Sequence, residues 1–432
     1  MKKLLISSLT LCSALAATAQ AQIDHPQLDV LASEVQPQVV EWRRWFHKHP
    51  ELSNREFKTA ERLAEILTEM GLEIQTGIAR TGIVAMIEGG KPGPLVAVRA
   101  DIDGLPVTEQ TGLEFASVNT DVFNGQETGV MHACGHDTHM AMALGAAQIL
   151  NSVKEDLAGS VMFIFQPAEE GAPPGEEGGA ELMLAEGIWD EQKPEAVFGI
   201  HIGINQPGGQ ISVRPGPIMA AADIFQITVN GKQTHGARPW NGVDPIVTAS
   251  QIIIGLQTIA SRQVDVTKAP SIISVGRIQG GIRNNVIPDS VFFEGTIRSF
   301  DPEMRTQIHE RMEKTARSIA EAAGAEIEFN LVLGTPPLIN DADLVNQMMP
   351  TLQRVSGGGK VNSVLPQTVA EDFSYFSNAT PGLYFFLGNG EPGADPENMP
   401  ANHSPFFDTH EPNMEVGVKA LSQLVVDYLA GE

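Results

Sequence analysis

Four short, uninterrupted apolar runs constrain this chain more than any other feature: Ile83–Ile87, Leu95–Val98, Val161–Phe165 and Ala196–Ile200. A strand with one wet face alternates apolar and polar residues, so a strand apolar throughout is covered on both faces. Helical periodicity separates these runs. Phe57, Ala60, Leu63, Ala64, Leu67 and Met70 recur at helical intervals, with Ser53 and Glu56 at capping-box spacing before them and Gly71 closing the segment. Buried strands alternating with helices predict an α/β fold with a mainly parallel sheet.

The residues that follow these runs carry the chemistry. Leu95–Val98 leads into Asp101 and Asp103, and Val161–Phe165 leads into Gln166-Pro167-Ala168-Glu169-Glu170. Ala196–Ile200 leads straight into His201. Ligands of open α/β sheets bind at the carboxyl ends of the strands. Three strands therefore deliver acids and an imidazole to one edge.

Between Ala221 and Leu333 the character changes. Ile224–Val229, Ser271–Val275, Val291–Ile297 and Ile327–Leu333 read as strands, with helices near Val243–Arg262 and Pro302–Ala323. That pattern predicts a small α+β sandwich of ferredoxin-like type. After Thr335 a buried strand returns at Leu383–Leu387. The expected organisation is a catalytic domain over 22–216 and 335–432, interrupted by a smaller domain over 217–334.

Residues 1–21 read as a secretory leader: Lys2 and Lys3, an apolar run from Leu4 to Ala16, then small-x-small cleavage signals between Ala17 and Ala21. Leu11 before Cys12 argues against a lipid-modified cysteine. The expected destination is periplasmic or extracellular. Cleavage removes two lysines and no acid, taking the net charge from −25 to −27. A surface so acidic, without a basic run, disfavours nucleic acid and anionic membrane as partners. Cleavage also leaves Cys134 as the one cysteine. An intramolecular disulfide is then impossible, and burial or metal ligation must account for an exported thiol.

Met131-His132-Ala133-Cys134-Gly135-His136-Asp137-Thr138-His139 packs three histidines, a thiol and a carboxylate into nine positions. Thiolate and imidazole suit zinc and similar divalent ions, and a thiolate can bridge two of them. Spacing alone does not say which histidines ligate. Three ligands in so short a stretch would be crowded, so at least one histidine should support the site from outside it. Glu169 and Glu170 are neighbours whose side chains diverge, so one can hold metal while the other serves as general base. His201 is a candidate ligand on its strand-end position, although a packed core histidine fits there too. His403, in a loop, and His235, in the inserted domain, have no local feature that lifts them above surface histidines. His47, His49, His309 and His410 read as structural or surface residues.

Taken together, these motifs resemble the M20 metallopeptidases, in the branch of aminoacylase-like amidohydrolases, hippurate hydrolases and plant indole-acetyl-amino-acid hydrolases. The resemblance spans the mature chain. It rests on Arg99 to Pro106, His132 to Asp137, Gln166 to Gly171, Gly199-Ile200-His201, Gly231 to Pro239, Asn285 to Asp289 and His403-Ser404. It implies a zinc-peptidase-like catalytic domain and a lid that often dimerises. It further implies two divalent metals bridged by Cys134, with His136 and His201 completing one site and Glu170 and His403 the other. Zinc or manganese is the expected ion, and the donor set also admits cobalt or nickel. Glu169 would be the general base, and Asp101 a supporting acid that orients a ligand. Arg99 departs from branches in which that position is a metal-binding histidine. His235 resembles a lid histidine that reaches an active site, commonly the partner subunit's. Asn285 and Arg298 are candidates for gripping a substrate carboxylate. The implied reaction is metal-dependent hydrolysis of N-acyl amino acids. A carboxypeptidase or dipeptidase acting on short peptides is the alternative, and an inactive binding protein is disfavoured because every expected position is filled.

Overall fold

A computed structural model describes residues 23–203, 206–357 and 361–431; the leader expected over 1–21 lies outside them. The main sheet has eight strands, ordered Glu73–Ile78, Gly82–Glu88, Ala158–Gln166, Lys91–Asp101, Ala196–Ile202, Gly382–Leu387, Ile211–Val213 and Asn362–Ser363. The middle four run parallel, and antiparallel strands flank them. Along these strands the side chains alternate between two cores: Val161, Phe163 and Phe165 enter one, Met162 and Ile164 the other. Both faces are thus dry, which is why the runs are apolar throughout. One core is closed by the helices His25–Lys48, Phe57–Glu69, His136–Ser152, Ala342–Val355 and Met414–Ala430. The short helices Gly179–Ala185 and Phe373–Ala379 pack on the other. Among the described residues no helix is long and apolar enough to cross a membrane.

The sheet is mainly parallel, as expected, with Ile83–Ile87 pairing antiparallel with both Glu73–Ile78 and Ala158–Gln166. One expectation needs correction. Ser53 and Glu56 do not form a capping box. Ser53 Oγ donates to Asp103, and Glu56 accepts from Thr81 Oγ1 and the Ala168 amide. The helix is instead capped by Glu51, whose carboxylate accepts the amides of Lys58 and Thr59. Gly71 does close it, at φ 76°, the left-handed conformation glycine adopts without strain.

The second unit is a β-α-β-β-α-β arrangement: Ala221–Asn230, Pro245–Arg262, Ser271–Gly280, Ser290–Ser299, Pro302–Ala323 and Glu326–Val332. Its four strands are antiparallel throughout, with the first and third in the middle. This is ferredoxin-like topology with its own apolar core, including Phe225, Phe293, Ile252 and Ile308. Asp244 and Asp301 cap its two helices, each followed by proline in the first turn.

Candidate metal centre

Three loops and one strand build the site at the carboxyl edge of the parallel strands. Cys134 and Gly135 lead into the helix His136–Ser152. Gly135 has φ 96°, and a Cβ there would lie 2.3 Å from Ile202, so the close approach of cysteine loop and strand depends on glycine. His201 lies within its strand, level with Phe386 of the neighbouring one. Glu169 and Glu170 follow Ala168, a non-glycine residue at φ 52° tied down by Glu56. His403 sits at φ 68°, its amide donating to Ala133 O, while Asn402 Nδ2 donates to Cys134 O and Ile202 O. Backbone strain held by surrounding hydrogen bonds flanks the site on both sides.

These elements bring the five expected metal ligands and Glu169 together. Cys134, His136 and His201 present donor atoms within 4.8 Å of one another, and so do Cys134, Glu170 and His403. Cys134 belongs to both triads. Its Sγ is 3.4 Å from His201 Nε2, and His403 Nε2 is 3.0 Å from Glu170 Oε1. Glu169 Oε2 lies 3.7 Å from His136 Nε2.

Hydrogen bonds assign the imidazoles. His201 Nδ1 donates to Ile202 O, which leaves Nε2 for the cysteine side. His136 Nδ1 lies 3.2 Å from Asp103 Oδ1, and its buried Nε2 has no hydrogen-bond partner. His139 has both nitrogens engaged: Nδ1 with Asp101 at 2.6 Å, and Nε2 accepting the Ile202 amide. It therefore supports the site from outside. Asp101 is 3.8 Å from His136, so Asp103 is the acid that orients that ring. Asp103 also accepts the Glu170 amide and thus ties both triads together.

Sequence reasoning overlooked the buried acids behind this layer. Arg99, fully buried, donates to Asp101, Gln166 and Asp372 and pairs with Glu371 at 2.9 Å. Tyr384 donates to Glu371. Glu371 and Asp372 stand close enough to Glu169 to share a cation with it. The available signal was Arg99 itself, since a guanidinium in a dry strand needs carboxylates from elsewhere in the chain.

The electrostatics call for positive charge. Burial, then Glu170, Glu169 and Asp101, push the Cys134 thiol far above its ordinary range. Burial, Glu371 and Glu170 push the Glu169 carboxyl up likewise. Burial alone would lower His136, yet Asp101 and Asp103 raise it to about 10. Dications would relieve all three strains at once, and thiolate, imidazole and carboxylate are the donors such ions take. The His136 Nε2, without a hydrogen bond and aimed at this cluster, fits that group.

His235, Asn285 and Arg298 stand apart. Among the described residues they make no hydrogen bond or ion pair with the cluster. His235 is exposed and accepts the Ala237 amide, Asn285 O accepts from Gly236, and Arg298 donates to Thr296.

A sheet edge with this donor set, in a chain that also carries a ferredoxin-like unit, fits a metal-dependent hydrolase. The chain belongs to the peptidase family M20/M25/M40, whose family model matches residues 97–427. It is 39% identical to thermostable carboxypeptidase 1 of Saccharolobus solfataricus over 91% of this chain and 96% of that one. It is also 39% identical to N-acetyl-L-cysteine deacetylase of Bacillus subtilis, over 82% and 81% of the two chains. A solved dinuclear metal-binding peptidase of family M20 from Bacillus subtilis superposes with a TM-score of 0.76 at 34% identity, over 92% of this chain and 99% of that one.

Proposed function

We propose that this protein hydrolyses the amide bond of N-acyl amino acids, with Cys134 shared between two metal ions. His136 and His201 would hold one ion, and Glu170 and His403 the other. The observation that carries this is that Cys134 belongs to two donor triads at once. Zinc or manganese suits the donors, with cobalt and nickel also accepted. Ions held there would supply a water of lowered pKa and a Lewis acid for the scissile carbonyl. Glu169, 3.7 Å from His136 beside the cluster, takes the water's proton and passes it to the leaving amine. Asp103 keeps the His136 imidazole aimed, and the Ile202 carbonyl keeps that of His201.

The unit 217–334 acts as a lid that excludes water on closing. His235 is exposed on it and, among the described residues, makes no hydrogen bond or ion pair with its own chain's cluster. We therefore assign it to the oxyanion of a partner subunit's site in a lid-mediated homodimer, with Asn285 and Arg298 near the substrate carboxylate. The leader 1–21 directs the chain out of the cytoplasm, to the periplasm or beyond. The relative named as a carboxypeptidase supports a second reading, hydrolysis of short peptides.

The test is a panel of N-acyl amino acids and dipeptides given to stripped protein reloaded with zinc, manganese or cobalt. Metal-dependent release of amino acid, faster from acyl substrates, is expected. Release from dipeptides alone would establish the second reading, and silence with metal bound would defeat both.

A further inference from the structure

A cleft of about 600 Å³ opens beside the metal centre, and Glu170 forms part of its wall. The other walls include Leu105 and Pro106, which follow the strand Lys91–Asp101, the loop Gly171–Pro174, and residues 121–124 of the hairpin Thr120–Phe123/Gln126–Gly129. Two properties decide what it can hold. The first is charge. Arg55 is the one cation among the cleft's described lining residues, and Glu176 already engages it at 2.6 and 3.1 Å. Asp121 lines the same space. Away from the ion that Glu170 would hold, an amino-acid carboxylate would find no free cation among these described walls, so the cleft suits the neutral end of the substrate. The second is apolar surface left open. Val122 and Phe123 are 62% and 40% exposed on a two-stranded hairpin, an element with little stability of its own. An apolar group seated in the cleft would cover them.

Building on the amidohydrolase reading, we propose that this cleft binds the acyl group, and that the hairpin Thr120–Gly129 selects bulky apolar acyl chains, aromatic or medium-length. An acetyl group would leave most of the space unfilled and forfeit its contacts. Val122 and Phe123 then determine specificity without touching the scissile bond.

The test uses metal-loaded protein and one amino acid carrying acetyl, hexanoyl or phenylacetyl groups. The expected kcat/KM rises roughly tenfold or more from acetyl to phenylacetyl. In Val122→Asp and Phe123→Asp the phenylacetyl-to-acetyl ratio falls by a similar factor, mainly through KM, and Phe123→Leu retains it. A wild-type preference for acetyl, or a ratio unmoved in both aspartate variants, overturns the assignment while leaving the hydrolase intact. Silence toward all three acyl groups overturns the assignment together with the reading beneath it.

Discussion

Asp103 Oδ1 lies 3.2 Å from His136 Nδ1, while the Asp103 Oδ2 atom accepts the Glu170 amide at 3.1 Å. One buried carboxylate therefore aims a ligand of the first triad and fixes the backbone of the second. Asp103→Ala should weaken metal binding by roughly 10–100-fold. Chelator competition against the stripped and reloaded protein measures this directly, and unchanged affinity would remove Asp103 from the supporting role.

Arg99 braces Asp101, Glu371 and Asp372 in a dry interior. Arg99→Met would fill the space and leave three acids without their cation. Breaking a buried pair this way costs about 3–5 kcal/mol. Urea unfolding of the metal-loaded variant should show that loss, and a midpoint within error of wild type would contradict it.

The second unit carries its own acid-sensitive contact. Asp223 accepts from Arg305 Nε, His309 Nε2 and the Gly334 amide at 2.9–3.0 Å. Burial alone would raise its carboxyl, but these partners outweigh burial and hold it well below the usual range. A carboxyl depressed on folding adds stability above about pH 4, lost as the pH falls toward the folded value. Asp223→Asn should be less stable at neutral pH and should lose less between pH 5 and pH 3 than wild type. Parallel urea curves at those pH values decide it.

Much of this architecture was legible beforehand, for physical reasons that also mark where legibility stopped. Apolarity throughout a strand reports burial on both faces, so Leu95–Val98 and Val161–Phe165 were readable. It says nothing of direction, and Gly82–Glu88, one strand in from the edge, runs antiparallel to both its neighbours. Ser53 and Glu56 have capping-box spacing, but each meets a stronger demand from a distant partner, Asp103 and Ala168. The helix His25–Lys48 went unread, although Leu28, Ala32, Val35, Val39, Trp42 and Phe46 keep helical spacing along its buried face. Cys134, His136 and Glu170 stood out by local density of donors. Glu371 and Asp372 did not, because their meaning comes from Arg99, far away in the chain.

Glu169→Gln should keep its metal and lose activity by about 10²–10⁴-fold, since a proton acceptor is removed without disturbing the ligands. Paired with His235→Ala, also expected to be inactive, it tests the trans arrangement. Mixed under conditions of confirmed subunit exchange, the two variants should regain part of the activity. No recovery would place His235 outside the partner's site.

The central claim is that Cys134 joins two ion sites, and metal titration tests it most directly. Stripped protein titrated with zinc or manganese should bind two ions per chain, and hydrolysis of an N-acyl amino acid should rise with occupancy. Cys134→Ser should weaken both sites together. A single ion per chain, two ions retained at full affinity in Cys134→Ser, or hydrolysis persisting in the stripped protein would contradict the account.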